Sequence, residues 1–499
     1  MKKNPNPIYI LFAGLFLFTA CGKDFLEVTP KGTNLEPNYY KNETEIMTGV
    51  VAMYDALGRE IENNKYSCRI GMLNCASDDC YAGGGDAGDI PDWQAWSNFT
   101  VDPGLGPQGQ FWDRSYRGIF RANVLLSKIE GVADIPASRK ARYIAEAKFI
   151  RAYFYFDLIR LFENIPLVLK PLSASEMYEV LQAPPAEVWK QIETDLKEAY
   201  PDLPETVPPS ENGRVTKMAA MAYLGKVIIT QNDAARMLEA ADLLEEVNTS
   251  PNYSLQSDFS IIFRPDNKFN SESLFEISHT SLANEWWGNY PNLSEGNVLV
   301  QMIGPRGYSG PIYKEGWGFN PITVEFVNLI KNDPRYRHTV VNIDSLKKAG
   351  VCNYIAGHNN TGYFMQKYAP LIEFFSSGGG DLVLNYPYNS VEMRLADTYL
   401  LEAEALIRGG GDANKAASYL NAVRARVGLP ATEATLDNIY LERRLELATE
   451  GQRFFDLVRT GQAASALAFK NFIPGKHELL PIPLAELSNT KLVQNEAYR

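Results

Sequence analysis

The sequence is poor in the residues that most often bind metals or act as nucleophiles. Five cysteines and four histidines occur among 499 residues, no two cysteines form a C-x-x-C pair, and the histidines are scattered. Zinc sites use closely spaced Cys and His ligands, so we expect none here. The motifs G-x-S-x-G, H-E-x-x-H and G-x-x-x-x-G-K-[ST] are also absent, which argues against the common serine hydrolases, zinc peptidases and P-loop enzymes.

Positive charge is in deficit as well. Lys and Arg total 48 against 60 Asp and Glu, which gives a formal net charge of −12 and a pI near 5.1. Nucleic-acid binding depends on clustered basic side chains, so a nucleic-acid partner is not expected. Aromatic residues, in contrast, make up 12% of the chain, and we expect part of this surplus to face a ligand.

The first 42 residues predict export and lipid attachment. Two lysines precede an apolar run from Ile8 to Phe18, which is shorter than the about 20 residues that cross a bilayer. Small residues then lead into Cys21, so the cleavage site resembles the lipobox of bacterial lipoproteins, whose first mature cysteine is acylated. We predict a signal peptide over residues 1–20, lipidation at Cys21 and a tether over residues 21–42. An ordinary signal peptide with a chance cysteine is the alternative.

Four further cysteines leave two interpretations open. In an exported protein they can form disulfides, and in a chain of this length they can equally be buried small residues; the sequence does not decide between the two. They are Cys68, Cys75, Cys80 and Cys352.

Helical periodicity dominates much of the chain. Apolar residues recur three and four positions apart in each predicted helix, most regularly from Ser138 to Phe162, where Ile165-Pro166 closes the pattern. The predicted helices span Glu43 to Asn63, Phe111 to about Gly131, Ser138 to Phe162, Pro185 to Ala199, Val215 to Thr230, Ala234 to Val247, Val391 to Ile407, Ala413 to Val427 and Leu436 to Leu457.

Two of these helical pairs share one plan. Short connections join the helices of each pair, and small residues such as Gly225 and Ala403 mark the positions where helices pass closely. Pairs of about 34 residues with small residues at the crossings are typical of tetratricopeptide stacking. We therefore predict a mostly α fold, an α/α superhelix of degenerate tetratricopeptide-like pairs with long loops and a few short β-strands.

Two loop-rich insertions interrupt the helices, at about residues 66–109 and 250–389. The first contains three consecutive glycines and several aspartates, and the second is rich in Gly, Pro, Asn and aromatic residues. Short strands are predicted at residues 260–263 and 273–278. Loops of this length inside a compact domain are usually functional, so we place the ligand-binding regions there.

Several stretches together resemble one protein family. The segment YLERRLELATEGQRFFDLVRTG at residues 440–461 resembles the C-terminal signature of the SusD/RagB family of Bacteroidetes outer-membrane lipoproteins. CGKDFLEVTPKG at residues 21–32 is similar to the mature N-terminus of that family, and LPIP at residues 480–483 to its C-terminal end. The 440–461 signature also alternates charges three and four residues apart, as a salt-bridged helix face does, so we expect its role to be structural.

The resemblance implies a single SusD-like domain over residues 43–499. It also implies a lipid-anchored position on the outer membrane, facing the cell surface, and capture of oligosaccharide or polysaccharide nutrient for a SusC-like TonB-dependent transporter. Phe25 interrupts the acids that would complete the surface-export signal after Cys21. Two other hypotheses stay open: peptide capture, as in the RagB branch, and a periplasm-facing helical-repeat scaffold.

A sugar-binding site needs exposed aromatic rings and a few polar side chains, and both insertions contain them. We predict binding without turnover, although any acid-rich loop can supply the two carboxylates, about 5 to 9.5 Å apart, that a glycosidase needs. No cofactor is predicted; Ca²⁺ at the acidic loop is an alternative that lacks the usual D-x-D-x-D-G spacing. The candidate ligand-binding residues are Asp78, Asp79, Tyr81, Trp93, Trp96, Trp286, Trp287, Arg306, Tyr313 and Trp317.

Overall fold

A computed structural model describes residues 40–62, 65–287, 295–375 and 379–499. The predicted signal peptide, Cys21 and most of the predicted tether lie outside these ranges. Within them, helices predominate and the strands form small two-stranded sheets. No helix in the described ranges combines the length and apolar composition that a membrane span requires.

The first half of the described chain consists mainly of helices. They are α1 (Glu43–Gly58), α2 (Arg69–Cys75), α3 (Pro91–Ser97), α4 (Gln108–Ile129), α5 (Ala137–Phe162), α6 (Ala174–Met177), α7 (Pro185–Ala199), α8 (Lys217–Thr230) and α9 (Met237–Asn248). Strands β1 (Ile61–Glu62) and β2 (Lys65–Tyr66) pair antiparallel after α1.

The second half alternates short strands and helices before a helical C-terminal region. Its strands are β3 (Ser273–Ile277), β4 (Val340–Asn342), β5 (Tyr363–Met365) and β6 (Ser390–Arg394), paired antiparallel as β3 with β6 and β4 with β5. Its helices are α10 (Val298–Ile303), α11 (Val324–Ile330), α12 (Tyr336–Thr339), α13 (Ile343–Lys348), α14 (Leu395–Arg408), α15 (Ala413–Arg426), α16 (Leu436–Glu446), α17 (Arg453–Arg459), α18 (Ala463–Ala466) and α19 (Leu484–Leu487).

The long helices pack in succession, each against its neighbour. Helix α1 packs on α4, α4 on α5, α5 on α7, α7 on α8, α8 on α9, α9 on α14, and α14 on both α15 and α16. This succession confirms the predicted mostly helical fold of stacked pairs. The pairing of β3 with β6 joins the second insertion to the start of α14.

Small residues bring the helices of these pairs close together. A Cβ atom at Gly118 of α4 would lie 1.9 Å from the Phe154 ring of α5, and one at Gly225 of α8 would lie 2.8 Å from Leu244 of α9. Contacts below 3.0 Å are sterically forbidden for real side chains, so α4 and α5 can pass at this distance only because residue 118 has no side chain. The predicted contact residue Ala403 is fully buried, as is Ala219 of α8.

Several predicted elements differ from the structure. The first insertion is not entirely a loop, since it contains α2 and α3. Residues 391–394 belong to strand β6 and not to the following helix, because β3 is available as a long-range partner that helical periodicity does not reveal. The predicted helix 436–457 is two helices, which separate near Gly451, a residue with φ of +73°. Residues 259–261 form a 3₁₀ turn and not a strand.

The cysteines of the described chain are free thiols. Cys68, Cys75 and Cys80 are buried and Cys352 is half-buried. Burial raises the pKa of Cys75 to about 12. The buried three therefore behave as small apolar residues, one of the two interpretations that the sequence left open.

Candidate glycan-binding surface

Four aromatic side chains and one arginine of the two insertions are exposed or half-buried on segments that connect to α10. We call this set, Tyr66, Trp286, Trp287, Arg306 and Trp317, the aromatic surface. Trp286 is 56% exposed and the other four are half-buried. Four of the five are predicted ligand-binding residues; Tyr66 is added by the structure.

Tyr66 and Trp317 form one half of this surface. Their ring centroids lie 5.3 Å apart with an interplanar angle of 68°, an edge-to-face arrangement that aromatic pairs favour. The indole N–H of buried Trp93 donates to the Tyr66 carbonyl at 3.4 Å, and the Trp317 amide donates to the Gln301 carbonyl of α10 at 2.9 Å. The two rings are therefore held by a fixed backbone beneath them.

Arg306 supplies a polar group beside these rings. Its guanidinium donates to the Trp317 carbonyl at 3.4 Å and lies 3.8 Å from an Asp89 carboxylate oxygen. That carboxylate also accepts from the Gly85 amide at 2.7 Å. The Arg306 side chain is 39% exposed, so part of its hydrogen-bonding capacity faces solvent, where a ligand hydroxyl can reach it.

Glycines allow the two loops that carry Arg306 and Trp317 to approach each other. The Gly318 amide donates to the Gly304 carbonyl at 2.8 Å. A Cβ atom at Gly316 would lie 2.3 Å from Gly304 Cα, closer than any side chain tolerates. The loop geometry therefore requires glycine at residue 316.

Trp286 and Trp287 form the other half, on a loop fastened to the segment around residue 385. The Trp287 amide donates to Asp381 at 2.8 Å, and Glu285 exchanges two hydrogen bonds of 3.0 Å with the Asn385 side chain. The neighbouring Tyr386 hydroxyl donates to the Gln301 side chain at 3.2 Å. Gln301 of α10 therefore contacts Trp317 of one half and Tyr386, next to the Asn385 that holds the other half.

This arrangement suits a neutral, hydroxyl-rich ligand. Sugars present apolar C–H faces that rest on aromatic rings, and hydroxyl groups that hydrogen-bond to nearby charged or amide side chains. Because the backbone of both loops is fixed by hydrogen bonds, binding needs little ordering of the protein, which favours affinity.

Comparisons with known proteins show the family to which this chain belongs. Residues 312–498 match the family model described as the SusD family, and residues 24–229 match the model described as starch-binding associating with outer membrane. A solved laminarin binding SusD-like protein is 44% identical, with a TM-score of 0.87 over 92% of this chain and 100% of that one. The chain belongs to the SusD family.

Two further proteins are similar to this SusD-family chain over most of their length. Surface glycan-binding protein A from Bacteroides thetaiotaomicron, solved in complex with laminarihexaose, is 30% identical with a TM-score of 0.84, covering 91% of this chain and 99% of that one. SusD-like protein P25 from Formosa agariphila is 25% identical over 97% of both chains. The match to SusD-like protein P25 is long enough to include both insertions of this SusD-family chain.

Two predicted ligand-binding tryptophans of this SusD-family chain are buried, which corrects their assignment. Trp93 is 0% exposed and Trp96 is 1% exposed, so neither ring can offer a face to a sugar. Trp96 packs edge-to-face against Phe111 at 5.4 Å and Phe454 at 5.5 Å. Helix α3 turns both rings inward, whereas the sequence interpretation placed this segment in a loop.

The predicted Asp78 and Asp79 are buried as well, and they bind arginines of the SusD-family signature. Arg453 donates to Asp78 at 2.8 and 3.0 Å, and Arg444 contacts Asp79 at 2.8 Å. Burial alone would raise the pKa of Asp78, but Arg453 and Arg444 hold it below its usual value. Burial raises the pKa of Asp79, which Arg444 offsets only in part. These carboxylates hold the fold together and are not free for a ligand.

The same signature forms tertiary ion pairs where the sequence predicted pairs along one helix. Glu446 is fully buried and accepts from Arg335 at 2.9 Å, with Arg394 and Arg426 also against it. Arg443 donates to Asp397 of α14 at 2.7 Å. These contacts support a structural role for the 440–461 signature, because they join α16 to elements that are distant in the sequence.

Tyr81 and Tyr313 lie outside the aromatic surface. Tyr313 is 6% exposed and donates its hydroxyl to Gln366 at 2.7 Å. Tyr81 packs edge-to-face against Phe469 at 6.3 Å, with the Lys470 ammonium 5.3 Å from its ring centroid. Burial of Tyr313 removes it from the candidate ligand contacts, and Tyr81 belongs to a different cluster.

Two aspartates of the acidic loop contact other groups of the chain. Asp89 binds the Gly85 amide and lies near Arg306, and Asp92 accepts from Lys65 at 2.8 Å and from Gln110 at 2.9 Å. Calcium needs six to eight converging oxygen ligands. Among the described residues, no group of three or more His, Cys, Asp or Glu side chains is placed to hold a metal ion.

Tyr66 was missed because only its position in the fold reveals it. The residue lies at the start of the first insertion, in a two-residue strand that is too short to show a periodic pattern. Its ring becomes a candidate because the fold places it against Trp317 and leaves it half-buried.

Proposed function

We propose that this SusD-family protein binds a laminarin-type glucan at the aromatic surface, without cleaving it, and delivers it to a SusC-like TonB-dependent transporter. The observation that supports the substrate is the 44% identity to a laminarin binding SusD-like protein over that protein's full length. The aromatic surface supports the same proposal, because fixed rings beside an exposed guanidinium suit a neutral glycan.

The proposal includes anchoring at Cys21 by lipid on the outer face of the outer membrane. Acylation supplies about 0.8 kcal/mol for each buried CH₂ group, and stable anchoring takes two membrane-binding signals, such as two acyl chains. A multiply acylated cysteine provides them at one residue. The family model that describes association with the outer membrane begins at residue 24, just after this cysteine.

Titration of the purified protein with laminarihexaose tests the glycan assignment. We expect saturable binding that Trp317→Ala weakens by roughly tenfold, because one ring of the platform is lost. Trp189→Ala is the matched control, since Trp189 is a half-buried tryptophan on α7, outside both insertions. Equal affinity of the unmodified protein and Trp317→Ala, or binding of peptides in place of the hexaose, would contradict the proposal.

Turnover is tested in the same preparation. The hexaose is incubated with the protein for many hours and the reducing ends are counted. We expect no increase above the protein-free control, and an increase that Trp317→Ala abolishes would show that the protein is an enzyme.

A further inference from the structure

Glu60 is a buried acidic residue whose side chain holds the start of α10. It lies between α1 and β1 and is 6% exposed. One of its carboxylate oxygens accepts hydrogen bonds from the first two backbone amides of α10, those of Val298 and Leu299, the second at 3.0 Å. The carboxylate therefore fastens α10 to the segment that follows α1.

The backbone of Glu60 is connected to Tyr66, one ring of the aromatic surface. The Glu60 carbonyl accepts from the Ser67 amide at 2.8 Å. The next residue, Ile61, is paired with Tyr66 where β1 lies against β2. The main chain on both sides of the Tyr66 ring is thus held to Glu60 and its neighbour.

The side chain of Glu60 is connected, through α10, to Trp317, the ring that Tyr66 contacts edge-to-face. The Gln301 carbonyl of α10 accepts from the Trp317 amide at 2.9 Å, and the Gly304 carbonyl directly after α10 accepts from the Gly318 amide at 2.8 Å. A change in the position of α10 therefore moves Trp317, while Tyr66 stays with the backbone of Glu60. The Glu60 carboxylate is the link between the two.

The charge of Glu60 is balanced between two opposing effects. Burial favours the uncharged carboxyl, whereas the amides of Val298 and Leu299 and the positive charge of Arg114 on α4 favour the carboxylate. The result is a pKa of Glu60 raised to about 7. Its charge therefore changes over the pH range in which exported proteins work.

The neighbouring titratable groups keep their charge near pH 7. The Cys68 thiol donates to the Glu60 carbonyl at 3.8 Å and stays protonated, because burial raises its pKa. Burial lowers the pKa of His279, which follows β3, to about 3. Arg59 is paired with Asp55 at 3.1 Å, and α10 has no charged side chain. Of these groups, Glu60 is the one that gains or loses a proton.

A proton on Glu60 weakens its hold on α10. Hydrogen bonds to an ionised acceptor are roughly twice as strong as those to a neutral one. A proton placed on the oxygen that accepts both amides would also displace at least one of them. The carboxylate form therefore holds α10, and with it Trp317, more firmly than the carboxyl form.

We propose that Glu60 is a positioning residue for glycan binding: its carboxylate fixes the Trp317 ring against the Tyr66 ring through α10, and uptake of a proton by Glu60 weakens binding of the glycan. The inference rests on the proposed function, which supplies the glycan. It adds that capture of the glycan depends on pH, and it assigns that dependence to one buried residue outside the ligand contacts.

Titration with laminarihexaose at pH 6 and pH 8 tests the inference. The unmodified protein should bind roughly three- to tenfold more weakly at pH 6, as expected when charge-assisted hydrogen bonds become neutral ones. Glu60→Gln should bind equally at both pH values, with the weaker affinity, because its amide is neutral throughout. Glu402→Gln is the matched control: Glu402 is a fully buried carboxylate of α14 whose pKa burial also raises, and its removal should leave the pH dependence intact.

A second measurement needs no glycan. The seven tryptophans are labelled with nitrogen-15, and the indole signal of Trp317 is identified by its absence in Trp317→Phe. In the unmodified protein this signal should shift with a midpoint near pH 7. In Glu60→Gln it should not shift over the same range.

The outcomes separate this inference from the proposed function. If the unmodified protein binds no hexaose at pH 8, the proposed function fails, and the indole signal alone decides whether Glu60 positions Trp317. If the unmodified protein binds equally at pH 6 and pH 8, the inference is overturned and the proposed function stands. A pH dependence that Glu60→Gln retains, or an indole signal that does not shift in the unmodified protein, overturns the inference as well.

Discussion

Substitution of an exposed tryptophan in the two insertions should lower glycan affinity, whereas substitution of a buried one should lower the free energy of unfolding. Trp286 and Trp96 give the clearest comparison. Trp286 is 56% exposed and Trp96 is 1% exposed. An aromatic side chain buries roughly 150–250 Å² when fully covered, so Trp286 offers about 80–140 Å² to a ligand. A sugar that covers half of this removes about 40–70 Å² from water, which is worth about 1.0–1.8 kcal/mol at 25 cal/mol per Å².

For Trp286→Ala we therefore expect a five- to twentyfold loss of laminarihexaose affinity, given about 1.4 kcal/mol for each factor of ten, and an unchanged free energy of unfolding. Trp96→Ala removes a ring packed against Phe111 and Phe454 and should lower the free energy of unfolding by about 3–5 kcal/mol. The fraction that remains folded should bind the hexaose normally.

Calorimetric titration and urea unfolding of both variants, side by side, provide the check. The reasoning is refuted if Trp286→Ala binds within twofold of the unmodified protein, or if Trp96→Ala loses affinity with its unfolding curve unchanged. The second result would mean that the Trp96 ring reaches the ligand, contrary to its burial.

Three further predictions concern polar groups and the lipid anchor. Arg306→Ala should weaken hexaose binding by about 1.5–3 kcal/mol, as loss of a charged hydrogen bond does. Gly85→Ala should weaken binding less, because the added Cβ atom would lie 3.0 Å from the Arg306 guanidinium. An affinity equal to that of the unmodified protein in titration would contradict either prediction. Burial alone would raise the pKa of Asp157, but Arg69 and Arg160 lower it to about 2, against about 3.9 in the unfolded chain. The Asp157 carboxylate therefore contributes about 2–3 kcal/mol of stability above pH 4, and this contribution is lost as the pH falls from 4 to 2. Asp157→Asn should accordingly destabilise strongly in urea unfolding at pH 7 and much less at pH 2, and a pH-independent difference would be inconsistent with this. Cys21→Ser should release the protein from the outer-membrane fraction, and continued sedimentation with the membranes would refute lipid anchoring.

Helical architecture could be predicted because it depends on local patterns. The spacing of apolar residues from 138 to 162 and the prolines near residue 185 define helices α5 and α7 to within one residue at each end, since the amphipathic period and the helix stops lie within the segment itself. The stretch at residues 440–461 likewise indicates the family without any knowledge of the fold.

The candidate site could be predicted only to the level of the two insertions. Trp286 and Trp317 are exposed or half-buried as the sequence interpretation required, whereas Trp93 and Trp96 are core residues. All four are tryptophans with glycine and proline nearby in the sequence. Trp93 and Trp96 differ from Trp286 and Trp317 in burial because α3 packs against α2. That tertiary contact leaves no local pattern in the sequence.

The sequence by itself determined that the chain is a helical SusD-family protein with two loop-rich insertions, because helical periodicity and the family signature are properties of contiguous residues. The tertiary structure decided which aromatic rings face solvent and which carboxylates are already neutralised. Arg453 reaches Asp78 across 375 positions and Arg444 reaches Asp79 across 365. Burial and charge pairing are set by residues distant in the chain, so they become visible only once the chain is folded.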